Sequence, residues 1–394
     1  ALATPAGTAA IAVVRISGSD AARLTREIFG DTPAPRVVRH ANYRDRAGGL
    51  LDDVLCTFFQ GPHSYTGEDA LEVSCHGNPF IAQKILEDLL ARGCRSAEPG
   101  EFTQRAFLNG RMDLSQAEAV MDIIHARSER ALTVAQQQLR GALGRRLGAL
   151  TDALLGVLAR IEAHIDFPEE DLPPEDRGMV AGELERIARE TDRLRATSHY
   201  GELLRDGIKT VIIGAPNAGK SSLLNRLVGY ERALVSAEPG TTRDFIEERV
   251  IVGPHGLRLI DTAGLNPSPA ALEKLGIAKT FERAAEADLF LLVLDATQPA
   301  PALPSELTAH LRNENTLVIA NKMDLLTSEQ AASATLPALR ASALTGAGFD
   351  ELITAITRYA DSFQQDMGED LVAINARHSH ALGCVRICLS AARM

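Results

Sequence analysis

Apolar and polar positions alternate at strand spacing over residues 9–16, 53–59 and 70–75, and apolar residues recur at helical spacing over 19–29 and 80–92. Short strands interleaved with helices predict a small α+β domain at residues 1–110. The pattern then changes. From 114 to 165 the apolar period is helical, with Leu, Ala, Arg, Glu and Gln dominant and few breakers, so long packed helices are expected. Residues 167–176 are acidic and carry prolines, which reads as a loop, and 180–204 resumes a charge-laced helical pattern. These segments make a helical domain over 111–206. From 208 the period switches again: β-rich runs at 209–213, 245–252, 257–260, 289–294 and 316–320 alternate with helical stretches. That alternation predicts a mainly parallel α/β sheet over 207–360. Residues 361–394 return to helix, as a truncated C-terminal part of the helical domain. The expected architecture is therefore multi-domain α/β, with the sheet domain inserted into the helical one.

Length agrees with several domains, because 394 residues exceed what one hydrophobic core usually organises. With 45% hydrophobic and 24% charged residues the chain has the composition of a folded protein. A net charge of −11 argues against gripping nucleic acid over the whole surface, and the absence of Trp argues against an extended base-stacking platform. The apolar runs are far shorter than the roughly 20 residues of a membrane-spanning helix, and the N-terminus lacks a signal-peptide pattern, so a cytoplasmic protein is expected. Five scattered cysteines, including Cys384 and Cys388, have neither CxxC nor metal-ligand spacing and read as reduced thiols.

One segment carries chemistry in its spacing. Gly214-Ala215-Pro216-Asn217-Ala218-Gly219-Lys220-Ser221 fits GxxxxGK[ST], follows the apolar run ending at Ile213, and opens a helix at Ser222. Glycines let such a loop curl so that its N–H groups face phosphate oxygens; Lys220 neutralises phosphate charge, and the Ser221 hydroxyl can ligate Mg²⁺. Three elements follow in order. Asp261-Thr262-Ala263-Gly264 ends a strand, where Asp261 can hold the Mg²⁺ shell and the Gly264 N–H can meet a γ-phosphate. Asn321-Lys322-Met323-Asp324 ends another, and a carboxylate there can accept hydrogen bonds from guanine N1–H and N2–H₂, which adenine does not offer. Ser342-Ala343-Leu344 is placed to meet the base carbonyl through backbone. Gly240-Thr241-Thr242-Arg243-Asp244 lies between phosphate loop and Asp261, making Thr242 the candidate switch threonine for Mg²⁺. GTP is thus the expected substrate. Leu265 stands where Ras-like enzymes place a water-orienting glutamine, and Glu273 is the one carboxylate between Asn266 and Gly276.

These motifs, with the stretches Val13-Val14-Arg15-Ile16-Ser17-Gly18, Pro62-His63-Ser64-Tyr65-Thr66-Gly67-Glu68-Asp69, Pro99-Gly100-Glu101-Phe102-Thr103-Gln104 and Leu114-Ser115-Gln116-Ala117-Glu118-Ala119, resemble the MnmE (TrmE) family of tRNA-modification GTPases over nearly the whole chain. The resemblance implies a homodimer formed through the N-terminal domain, acting with the flavin-dependent partner MnmG at C5 of the tRNA wobble uridine to install an aminomethyl-type group. It implies 5-formyltetrahydrofolate or a related tetrahydrofolate as one-carbon donor, held by Arg15, Glu72 and Arg111, the last standing where the family carries lysine. On the residues alone, the favoured reading is that Arg15 and Glu72 are ordinary strand-edge residues and Arg111 a helix-start surface charge. The resemblance further implies K⁺ at Asn217, Ser236, Glu238 and Thr241, nucleotide contacts from Ala237 and Pro239 in the same segment, and Glu273 as the water-orienting catalytic carboxylate beside Lys220 and Asn217. Two departures stand out: Gly7-Thr8-Ala9 replaces an expected Gly-Arg-Gly, and the family's terminal Cys-x-Gly-Lys motif is not among these residues. A ribosome-assembly GTPase of the Era or Der type is the rival; it would carry a basic RNA-binding appendage.

Overall fold

The computed structural model describes residues 1–166, 177–230, 247–260, 287–299, 308–327, 338–363 and 372–392. The chain divides into two compact units, Ala1–Glu118 and Ala119–Met394.

The first unit is a four-stranded antiparallel sheet in the order β1-β4-β3-β2, with β1 Ile11–Ser17, β2 Val38–Arg44, β3 Leu50–Phe59 and β4 Ala70–His76. Helices α1 (Ala21–Phe29) and α2 (Pro79–Ala91) cover one face, where Val14, Tyr43, Cys56, Leu71 and Val73 meet Ile28, Ile85 and Leu89. Strand β2 is not legible in the apolar pattern because it reads Val-Arg-His-Ala-Asn-Tyr-Arg and buries only Tyr43. As an edge strand it has one neighbour, and its polar side chains face solvent. Buried Asp88 is well satisfied: it accepts from the Tyr43 hydroxyl (2.9 Å), the Arg46 N–H (3.0 Å) and Arg92 Nε (2.7 Å). Burial, then the neighbouring carboxylate, push the Tyr43 phenol well above its ordinary range. A short helix α3 (Glu101–Leu108) follows, ahead of α4 (Leu114–His125).

The helical stretch from residue 114 to residue 166 is three helices. Ser128 caps α5 (Glu129–Leu139), its hydroxyl accepting the Ala131 N–H at 3.2 Å, and left-handed Gly141 (φ 80°) separates α5 from α6 (Ala142–Asp166). Helix α7 (Arg177–Asp206) then runs to within one residue of a six-stranded sheet. Strands β5 (Ile208–Gly214), β6 (Glu247–Val252), β7 (His255–Ile260), β8 (Leu289–Asp295), β9 (Thr316–Asn321) and β10 (Leu339–Arg340) lie in the order β10-β9-β8-β5-β7-β6, all parallel to their neighbours except β6. Fully apolar runs such as Leu-Phe-Leu-Leu-Val-Leu in β8 are what a sheet covered on both faces requires. Helices α8 (Lys220–Tyr230) and α9 (Phe349–Ser362) flank it, and α10 (Ala376–Ala392) packs on α7.

The sheet is tied to the helices on both sides of its insertion. Entry is through Gly207 alone (φ 83°), where a side chain would press on the Gly256 and Leu257 backbone. The return segment Val372–Ile374 is buried, with Gln138 donating to the Ala373 carbonyl and the Ile374 N–H donating to Thr197 Oγ1. On the hairpin side, the Arg130 N–H donates to the Pro254 carbonyl at 3.1 Å, and buried His255 contacts Asp361 at 2.9 Å. No helix among the described residues is long and apolar enough to cross a membrane.

Candidate nucleotide site and N-terminal cavity

Central strand β5 delivers the phosphate loop at its carboxyl end, where parallel α/β sheets place their ligands. The backbone there admits only particular residues. A Cβ on Gly214 would stand 2.2 Å from the Val293 carbonyl oxygen, and one on Gly219 (φ 96°) 2.1 Å from Asn321 Nδ2. Asn217 takes the left-handed conformation (φ 63°), which Asn tolerates better than most residues. Lys220 turns back over the loop, its Nζ donating to the Gly214 and Ala215 carbonyls at 2.8 Å each. Ala218 is buried, whereas Ser221 and Ser222 are exposed in the first turn of α8, a position from which a Ser221 hydroxyl fits a Mg²⁺ shell.

The base side is assembled from the ends of β9 and β10. Asn321 is 3% exposed and bridges three segments: its Nδ2 donates to the Ala218 carbonyl (2.8 Å), and its Oδ1 accepts the Ala343 N–H (2.9 Å). Lys322 is left-handed (φ 66°) and its Nζ binds Asp295 Oδ2 at 2.7 Å. Burial pushes the Asp295 carboxyl up, but hydrogen bonds from Lys322 and Thr297 outweigh it and hold it below its ordinary range. Fully buried Ser342 donates to Asp324 Oδ1 at 2.5 Å, which aims an otherwise exposed carboxylate. The Ala343 N–H is already engaged by Asn321, and Leu344 projects into solvent at 78% exposure. Motif reading passes over Arg226, which grips this loop from α8, and Asp295, which positions Lys322; neither belongs to a contiguous motif, so only the folded geometry finds them. Ser236, Ala237, Glu238, Pro239, Gly240, Thr241, Thr242, Asp261, Thr262, Ala263, Gly264 and Glu273 lie outside the described residues. Asn217 is thus the member of the implied K⁺ set within them.

In the first unit, Arg15 on β1 and Glu72 on β4 are register partners, with Arg15 Nε donating to Glu72 Oε1 at 2.8 Å. The Arg15 guanidinium also lies 5.5 Å from the Tyr65 ring centroid and 5.7 Å from that of Phe102. It borders a cavity of about 480 Å³ whose lining combines Leu24, Leu86 and Phe102 with Arg23, Arg95 and Arg105. Hydrogen bonds from Arg95, the Glu98 N–H and Arg105 hold the Glu101 carboxyl well below the usual carboxylate range, so this rim stays charged. Glu72 and Arg111 do not line the cavity. Arg111 packs on Gly67, where a Cβ would meet its Cγ at 3.2 Å.

A parallel sheet ending in this phosphate loop, with a carboxylate aimed from the Asn-Lys-Met-Asp turn, defines a P-loop GTPase. Comparison narrows the class. A family described as GTP-binding protein TrmE N-terminus matches residues 1–111, and one described as MnmE helical domain matches residues 114–394. The chain belongs to the MnmE (TrmE) family of tRNA modification GTPases. It is 59% identical to the tRNA modification GTPase MnmE of Opitutus terrae over 100% of this chain and 87% of that protein. It is 45% identical to that of Akkermansia muciniphila over 98% and 86%, and 42% identical to that of Moorella thermoacetica over 100% and 88%.

Proposed function

We propose that this chain binds Mg²⁺·GTP between the phosphate loop and the Asn321–Asp324 turn, and spends its hydrolysis on tRNA wobble-uridine modification in concert with MnmG, as a homodimer through its N-terminal domain. The observation that carries the nucleotide reading is the Asn321 bridge. One buried amide fixes the phosphate loop against both base-side segments, so phosphate and guanine recognition share a single frame. Within it, Lys220 exchanges its two loop carbonyls for phosphate oxygens, Ser221 and Thr242 complete the Mg²⁺ shell, and Asp324 accepts from guanine N1–H and N2–H₂. A K⁺ held by Asn217, Ser236, Glu238 and Thr241 supplies positive charge where it develops in the transition state. Glu273 orients the attacking water.

The tRNA assignment is supported by relatives named tRNA modification GTPases that align along essentially the whole chain. For the N-terminal cavity the reading is a tetrahydrofolate, 5-formyltetrahydrofolate or a close relative. Its size is in the range of about 300–1,000 Å³ typical of small-molecule sites, and its apolar wall with Phe102 and a cationic rim suits an aromatic heterocycle bearing an anionic tail. Arg15, anchored by Glu72, provides the planar cation; Arg111 contributes from the Gly67 loop, outside the cavity wall.

The decisive test is Asp324→Asn, measured by nucleotide titration. GTP and GDP affinity should fall by about a hundredfold or more while xanthosine nucleotides gain, because an amide can donate to the xanthine 2-carbonyl. Unchanged guanine affinity overturns the base-site assignment. In the same assay series, hydrolysis should be faster in K⁺ than in Na⁺, and Asn217→Ala should erase the difference; equal rates for the parent chain reject the cation.

A further inference from the structure

Arg226 lies on α8, six residues beyond Lys220, and is half-buried. Its Nε donates to the Ala343 carbonyl at 2.8 Å and its Nη2 to the Leu344 carbonyl at 2.9 Å, so two nitrogens of one planar guanidinium hold consecutive backbone oxygens. The group is held from two further sides. It sits 5.9 Å from the ring centroid of buried Phe349, and left-handed Gly346 (φ 91°) lies so close that a Cβ there would come within 2.9 Å of Nη1. Both contacts fix the fork.

The gripped segment needs an anchor at its tip. Ser342 is tied at its base through Ala347 and Asp324, and Ala343 through Asn321, whereas the Leu344 side chain is 78% exposed. The carbonyls of Ala343 and Leu344 are where Arg226 holds on. Because the Ser342 hydroxyl both donates to Asp324 and accepts the Thr345 N–H at 3.1 Å, movement of the tip is felt at the carboxylate.

We propose that Arg226 is a positioning residue for guanine recognition: from the helix that starts in the phosphate loop, it holds Ser342–Leu344 in the conformation in which Ser342 aims Asp324 at the base. This rests on the reading of Asp324 as the guanine acceptor. One helix then presents Lys220 to the phosphates and sets the base loop, so the two halves of the nucleotide site are in register before ligand arrives.

The test uses the full chain and three variants. Arg226→Met keeps an apolar stem against Phe349 and removes the donors; Arg226→Lys keeps the charge but not the fork; Asp324→Asn is the control for the base site. Titration with GDP and with inosine diphosphate, which lacks the 2-amino group, gives the base discrimination directly. For Arg226→Met, GDP affinity should fall about tenfold, as expected if the competent loop conformation drops to about a tenth of the population. The GDP preference over inosine diphosphate should shrink with it. KM for GTP should rise in parallel, with a smaller effect on kcat, and Arg226→Lys should fall between parent and Met variant. A purely structural arginine lowers thermal stability and leaves the GDP-to-inosine-diphosphate ratio unchanged, and that result overturns the proposal. Should Arg226→Met not fold, the ratio in Arg226→Lys decides in the same way. Failure of Asp324→Asn to weaken guanine binding removes the base site itself; a normal ratio in the Arg226 variants beside a responsive Asp324→Asn removes only the role of Arg226.

Discussion

The nucleotide site and the N-terminal cavity are built on opposite principles. At the nucleotide site the backbone is the instrument: Gly214, Asn217, Gly219 and Lys322 adopt conformations or close approaches that restrict the residue type, and they sit in short contiguous runs. In the N-terminal unit, side chains do the work. Arg15 and Glu72 lie on ordinary strands that any residue could form, and they meet only because β1 and β4 pair in that register. A site of the first kind tolerates almost no change of residue type but advertises itself in sequence; one of the second kind is silent until the sheet is assembled.

The sharpest way to break this contrast is Gly219→Ala. The added methyl would stand 2.1 Å from Asn321 Nδ2 in a left-handed backbone, so either the loop or the Asn321 bridge must move. Nucleotide affinity should fall by about a thousandfold, or about 4 kcal/mol, in a fluorescent-GDP titration. A loss below about tenfold would mean that the loop is softer than the geometry requires.

Arg15→Ala should act more mildly. It removes a half-exposed cation and its contacts with Tyr65, Phe102 and Glu72, and tetrahydrofolate binding by calorimetry should weaken about ten- to thirtyfold, with GDP affinity untouched. Equal weakening of both ligands would dissolve the distinction between the sites.

The smallest effect is one of pH. Burial lowers the His255 pKa, with the Asp361 hydrogen bond opposing and Arg130 adding to the decrease. The folded chain therefore binds this proton less readily than the unfolded one, whose imidazole titrates near about 6.5. Stability is full above that value and declines as pH falls below it toward the folded pKa. The unfolding midpoint should drop between pH 7.5 and pH 5.5, and His255→Gln should flatten the slope; an unaltered slope assigns it to other groups.

Much of the architecture was legible because burial leaves a periodic trace. The apolar strands β5, β8 and β9 and the phosphate loop stand out in composition and spacing. Strand β2 left none, since an edge strand facing solvent has no reason to alternate strongly. The breaks at Ser128 and Gly141 were hidden inside a stretch whose apolar period is helical on both sides. Asn321 was visible as a motif residue, but its bridging role was not, and no motif marks Arg226. Those roles depend on distant carbonyls at Ala218, Ala343 and Leu344, which a linear pattern does not bring together.

The single-glycine junction at residue 207 makes the chain a mechanical linkage. Helix α7 has 30 residues, a rod of about 45 Å, and Gly207 alone separates it from β5, which ends in the phosphate loop. One connecting residue keeps the end of the helix and the start of the strand adjacent. The return strap at 372–374, wedged so near α7 that its Ile374 carbonyl would stand 2.5 Å from a side chain on Gly201, closes the other side of the frame. For a rod of that length, the displacement that a given angular change at the junction would produce at the far end is set by helix length alone.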